Sequence, residues 1–122
     1  FNNNSWSSDS IINYKYHICD TLKYYELSLN IRHTTDYKFQ NLFVFLDGYI
    51  QDTVEIILAD GFGKWEGSGI SNIREVNHVF DYRVFCKKGE YKLSVEQAMR
   101  YGAEEKIKNL ENIIDIGLIV SE

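Results

Sequence analysis

From Tyr25 to Arg32 the chain alternates without a break: Tyr25, Leu27, Leu29 and Ile31 are apolar, and Glu26, Ser28, Asn30 and Arg32 between them are polar. A period of two sends successive side chains to opposite faces of an extended backbone. The segment therefore buries one face as a β-strand, whereas a helix would scatter the same apolar residues around its circumference. One wet and one dry face is the mark of an antiparallel sheet.

The same period recurs along the chain. Ile12, Tyr14, Tyr16 and Ile18 oppose Asn13, Lys15, His17 and Cys19. Asn41 to Leu46 is apolar on both faces; Asp47-Gly48 follows, and Val54, Ile56 and Leu58 then alternate, which predicts a hairpin. Between Val76 and Cys86 the alternation assigns Phe80, Tyr82, Val84 and Cys86 to the inward face. After a turn at Lys88-Gly89 come Tyr91, Leu93 and Val95, and Ile114, Ile116, Leu118 and Val120 close the chain. Between Glu96 and Glu111 the texture changes: Ile107, Leu110 and Ile114 sit at helical spacing with Glu104 four residues before Lys108, which predicts a short helix or helical turn. About seven or eight strands in 122 residues predict an all-β, antiparallel two-sheet sandwich, immunoglobulin-like or jelly-roll-like, with one short helix. Residues 1–10 read as an N-terminal tether, left after a targeting segment, and 11–122 as a single sandwich domain.

Composition narrows the function. Aromatics make up 15% of the residues, which suits half-buried pleated surfaces. A net charge of -5, with one basic doublet at Lys87-Lys88, offers no footprint for a phosphate backbone, so nucleic acid is not expected as a partner. Cys19 and Cys86 lie in no metal-type or catalytic spacing and fall on opposed faces of their strands, so no disulfide is expected. His17, His33 and His78 are scattered over separate strands, and Asp47, Asp52 and Asp60 form no calcium-loop pattern; no metal or other cofactor is expected. No serine sits in a nucleophile elbow, and no spacing selects a pair of acids for glycoside hydrolysis. A non-enzymatic binding role is the expectation.

The candidate binding residues centre on a glycine-rich run, Asp60-Gly61-Phe62-Gly63-Lys64-Trp65-Glu66-Gly67-Ser68-Gly69. It has neither the dinucleotide nor the P-loop order, since Gly63-Lys64 is followed by Trp65. It reads as a loop whose glycines take positive φ and whose Trp65 packs over the sandwich end. Phe62 and Trp65 would offer rings to a partner, with Lys64, Glu66, Arg32 and Arg100 as charged contacts.

Asp20, Tyr25-Glu26-Leu27, Ile31-Arg32-His33-Thr34, Tyr37, Asn41-Leu42, Asp52-Thr53-Val54, Leu58-Ala59-Asp60, Gly63-Lys64-Trp65-Glu66-Gly67-Ser68-Gly69, Gln97-Ala98-Met99-Arg100 and Ile116-Gly117-Leu118 make an ordered series. The series resembles the gliding-motility-associated lipoprotein family GldH over nearly the whole chain, from about Trp6 to Val120. Prolines of that pattern are missing near Tyr37 and at Cys86, as is the anchor cysteine. The resemblance implies an envelope lipoprotein of Bacteroidetes-type bacteria, lipid-anchored with its domain in the periplasm or at the outer membrane. It also implies envelope proteins of the gliding or type IX secretion apparatus as partners, and no enzymatic activity. A glycan-binding sandwich module is the alternative expectation, because exposed rings beside acids also suit a sugar.

Overall fold

The computed structural model describes residue 1, residues 4–101 and residues 105–122. Its strands are β1 (Ser5–Ser7), β2 (Ile12–Ile18), β3 (Tyr24–Thr34), β4 (Asn41–Gly48), β5 (Asp52–Ile57), β6 (Ile73–Val84), β7 (Gly89–Gln97), β8 (Arg100–Tyr101), β9 (Glu105–Lys106), β10 (Asn109–Glu111) and β11 (Ile113–Ser121). A four-stranded sheet, β2-β7-β4-β5, faces a three-stranded sheet, β11-β3-β6, and the pairs β1-β10 and β8-β9 form two small sheets. Every pairing is antiparallel. The all-β sandwich read from the alternation is the fold.

Of consecutive strands in the two large sheets, β4 and β5 are neighbours joined by a hairpin. The steps from β2 to β3, β3 to β4, β5 to β6 and β6 to β7 each cross between sheets. An immunoglobulin sandwich sets its first two strands side by side in one sheet. Here β2 and β3 lie in different sheets, so the strand order departs from that arrangement.

The core is the inward set of the alternating strands. Ile18, Leu27, Leu29, Ile31, Leu42, Val44, Ile56 and Val95 are fully buried between the sheets. Tyr14 crosses the gap, its hydroxyl donating to the Ile116 carbonyl at 2.5 Å. Burial first and Asp115 second raise its pKa to about 12, so it stays a donor over the whole physiological range.

Three expectations are corrected. The inward face of β6 reverses partway along, because the register with β3 runs Leu27 to Asp81 and then Ser28 to Val79, leaving Phe80 as an extra residue. Beyond this bulge Phe85 is the fully buried residue, while Tyr82, Val84 and Cys86 point to solvent. A one-residue insertion flips every later side chain, and alternation alone does not reveal it.

The helix expected within 96–111 is replaced by the end of β7 and by β8, β9 and β10; Glu104 lies outside the described residues. Ile107 and Leu110 are buried, as their spacing suggested, but Gln97 supplies the local bonding. Its buried side-chain amide donates to the Ile107 carbonyl at 2.7 Å and its oxygen accepts from the Met99 N–H at 2.9 Å. Tertiary pairing thus satisfies backbone groups that a helix would otherwise have paired internally.

Nor is the segment 1–10 a tether throughout. β1 pairs with β10, and Trp6 is fully buried, its indole N–H donating to the Ser10 carbonyl.

The sandwich has two unlike poles. One holds the β2–β3, β4–β5 and β6–β7 connections and is closed by aromatics around buried Phe85, whose ring lies 6.2 Å from Tyr16, 6.0 Å from Tyr25, 5.3 Å from Tyr49 and 4.9 Å from Tyr91. The other, the loop pole, gathers the N-terminal segment, the 35–40 and 58–72 loops and the small sheets.

Candidate functional site: the outer face of the four-stranded sheet

On the outer face of this sheet, β2 presents Asn13, Lys15 and His17, and β7 presents Lys92, Ser94 and Glu96. β4 departs from its neighbours by presenting Phe43 and Phe45, both half-buried, beside the inward set Leu42, Val44 and Leu46. An antiparallel strand that is apolar on both faces is suited to cover on both faces. Ile57, 50% exposed, and Ile11, 53% exposed, extend the apolar surface on either side.

Shallow depressions flank this column. One of about 360 Å³ lies between Phe39, Phe43, Met99 and Arg100, and another of about 250 Å³ between Ile11, Phe45, Ser94 and Glu96. A third, about 350 Å³, runs from Lys38 and Phe39 to Glu55, Ile57 and Ala59. A separate one, about 320 Å³, lies at the loop pole between Lys38, Phe39, Leu110 and Glu111. The polar rim is partly pre-ordered: Asn41 Nδ2 donates to Glu55 Oε2 at 2.7 Å, and Ser94 Oγ donates to Asn13 Oδ1 at 2.7 Å. Two rings with recesses beside them and a polar border have the anatomy of a small protein interface.

The sequence-derived candidates fall in three places. Arg100, exposed on β8, borders the depression beside Phe43. Arg32 lies on the outer face of the other sheet, where its Nε donates to both carboxylate oxygens of Asp115 at 3.0 Å and its Nη2 completes the pair. That pairing raises the guanidinium pKa and commits the charge to β11.

Phe62, Lys64, Trp65 and Glu66 share a tight loop at the loop pole. Asp60 Oδ1 accepts from the N–H groups of Phe62 and Lys64, each at 2.9 Å, and the Asp60 N–H donates to the Lys64 carbonyl at 2.8 Å. Gly63 takes φ 82°, the conformation expected of the glycines here, but Gly69 serves differently: a Cβ there would lie 1.9 Å from the Ile73 carbonyl oxygen. Phe62 is left 99% exposed, whereas Trp65 turns inward and is half-buried, with Lys64 and Glu66 exposed.

Trp65 packs on His33, the ring centroids 4.8 Å apart. His33 is fully buried, its Nδ1 lies 2.9 Å from the Thr34 carbonyl oxygen, and its Nε2 has no hydrogen-bond partner among the described residues. Burial lowers its pKa, so the ring is neutral and donates from Nδ1. Cys19 and Cys86 are free and both exposed; the opposed faces assigned to them from the alternation do not hold, because the bulge at Phe80 turns Cys86 to solvent. Among the described residues, no three His, Cys, Asp or Glu side chains gather as a metal would require, and no helix is long and apolar enough to cross a membrane.

Sequence reasoning missed Phe39, Phe43 and Phe45. The signal for Phe43 and Phe45 was the two-faced apolarity of Asn41 to Leu46, which describes a strand suited to cover on both faces.

Comparison with known proteins agrees with the ordered motif series. The family model described as GldH lipoprotein matches residues 1–120. A gliding motility lipoprotein GldH homolog from Christiangramia forsetii is 33% identical over 125 residues, covering 96% of this chain and 77% of that protein. The gliding motility lipoprotein GldH of Flavobacterium johnsoniae is 30% identical over 125 residues, covering 97% and 78%. No solved structure matches. The chain belongs to the GldH lipoprotein family.

Proposed function

We propose that this domain is a non-catalytic docking module of a membrane-anchored motility assembly, and that it holds a protein partner on the outer face of the four-stranded sheet. Membership in a lipoprotein family implies an anchored place in the envelope, and the relatives are named for gliding motility. The reading extends this to the type IX secretion apparatus, with the domain in the periplasm or at the outer membrane. The observation that carries it is the outward pair Phe43 and Phe45, flanked by recesses and a polar rim. Arg100 contributes a charge at one edge, and the base of the 60–69 loop adjoins the same surface through Ala59. An anchored domain meets its partner at raised effective concentration, so a modest face suffices.

The test is complementation. In a gliding host lacking its own copy, the anchored wild-type protein should restore movement or secretion and co-purify with envelope proteins. The variant Phe43→Ser/Phe45→Ser should restore neither while keeping its sheet spectrum and melting cooperatively. Full activity of that folded variant would refute the reading.

A glycan-binding reading finds one observation, the stacked and exposed pair Tyr24 and Tyr82, with centroids 4.9 Å apart. Each ring already spends one face on the other, which leaves less platform for a sugar. A glycan array of the soluble domain distinguishes the two: specific sugar binding lost in Tyr82→Ala would favour this second reading.

A further inference from the structure

We propose that the loop pole faces the lipid bilayer and that Phe62 and Ile70 seat among the lipid headgroups, orienting the domain on the membrane. The proposal rests on the anchored reading above and goes beyond it, since an acyl anchor alone leaves a domain free to tumble on its tether.

Phe62 is 99% exposed and Ile70 is 88% exposed, and both belong to the loop between β5 and β6. Each sits on a bonded turn that holds it outward. Phe62 is braced by Asp60, and the Ile70 turn is closed by the Ile73 N–H donating to the Ile70 carbonyl and by pairing of Ser68 with Glu75. Large apolar side chains held rigidly in water cost free energy without helping the fold, and they gain it back at an apolar boundary.

The N-terminal segment is fastened at the same pole. Phe1 stacks on Trp6 at 5.2 Å, and the Asn112 N–H donates to the Asn4 carbonyl at 2.7 Å. In a lipoprotein the acyl chains lie on the N-terminal side of the domain, so the anchor leaves from the pole that displays Phe62 and Ile70. Cations and acids both lie in the loops of this pole: Lys38, Lys64 and Lys108 are exposed, as are Asp9, Asp36 and Glu66. With charges mixed, insertion of the apolar tips drives the contact, while a lysine beside an inserted ring keeps its ammonium in the headgroup layer.

The test uses the whole chain carrying an N-terminal hexahistidine, tethered to protein-free vesicles of phosphatidylethanolamine and phosphatidylglycerol with a nickel-chelating lipid. Tryptophan reporters are introduced singly by Phe62→Trp, Ile70→Trp and, at the opposite pole, Leu22→Trp, where the native side chain is 90% exposed. Bromine on the acyl chains should quench the added fluorescence of the first two, with a blue shift, and leave the third unchanged. The signal should persist at high salt. Quenching of none, or of all three alike, would overturn the proposal. The imposed tether and the absence of protein make this outcome independent of partner docking, which the Phe43/Phe45 variant tests separately.

Discussion

The indole of Trp65 lies 4.8 Å from the imidazole of His33, tilted by 53°, and this contact joins the end of β3 to the loop that follows β5. It closes one end of the sandwich between its two sheets and forms the fixed base from which Phe62 projects. Trp65→Ala should therefore lower stability by about 2–3 kcal/mol, at or below the low end for a core Trp because the ring is only half-buried. Phe62→Ala should leave stability within about 0.5 kcal/mol of wild type, since the side chain is exposed. Urea titrations of the two variants check both statements.

Stability should fall as the pH drops below about 6.5. Burial lowers the pKa of His33, and of His78, below the ordinary 6.5, so the unfolded chain takes up protons that the folded chain refuses. Above that value both states carry neutral rings and the full stability is present. The loss begins near the unfolded pKa and levels off only when the pH falls beneath the folded values. His33→Leu should flatten the change in Tm between pH 7.5 and pH 5, and His78→Gln should flatten it further. An unaltered slope in the double variant would show that other groups set it.

Phe85 is the hub of the aromatic closure at the other pole, and Phe85→Ala should cost about 3–5 kcal/mol. Tyr82→Ala, three residues earlier on the solvent side of the bulge, should cost far less. The opposite ranking in thermal melts would mean that the strand keeps a single register through Phe80.

Both thiols should react in the folded protein. Cys19 and Cys86 are free and exposed, so Ellman's reagent should titrate two thiols per chain without denaturant. A single reactive thiol, or none in freshly reduced protein, would contradict their placement.

The fold was legible where alternation is strict. β2, β3 and β7 place Ile18, Leu29 and Val95 as their period demands, because each strand has one wet face. The reversal at Phe80 was not legible, since a bulge depends on the partner strand rather than on local composition. The 96–111 segment misled because buried Gln97 supplies hydrogen bonds from outside the local sequence, so helical spacing at Ile107 and Leu110 arose without a helix. In the glycine-rich loop the turn itself could be read, as could the inward packing of Trp65. The commitment of Arg32 to Asp115 could not, because that pairing is set by which strand lies beside β3. Phe43 and Phe45 were visible as a strand with two apolar faces, yet periodicity does not tell which of those faces the fold covers.

The docking surface is tested most directly by photo-crosslinking in living cells. A photoreactive phenylalanine analogue replaces Thr53, exposed and paired with Phe45, or Asn77, exposed on a strand of the other sheet. The anchored protein should form a discrete crosslinked species from position 53 and none from position 77. That species should disappear when Phe43→Ser and Phe45→Ser are added. A crosslink from position 77 alone, or one from position 53 that survives the double substitution, would contradict docking on the outer face of the four-stranded sheet.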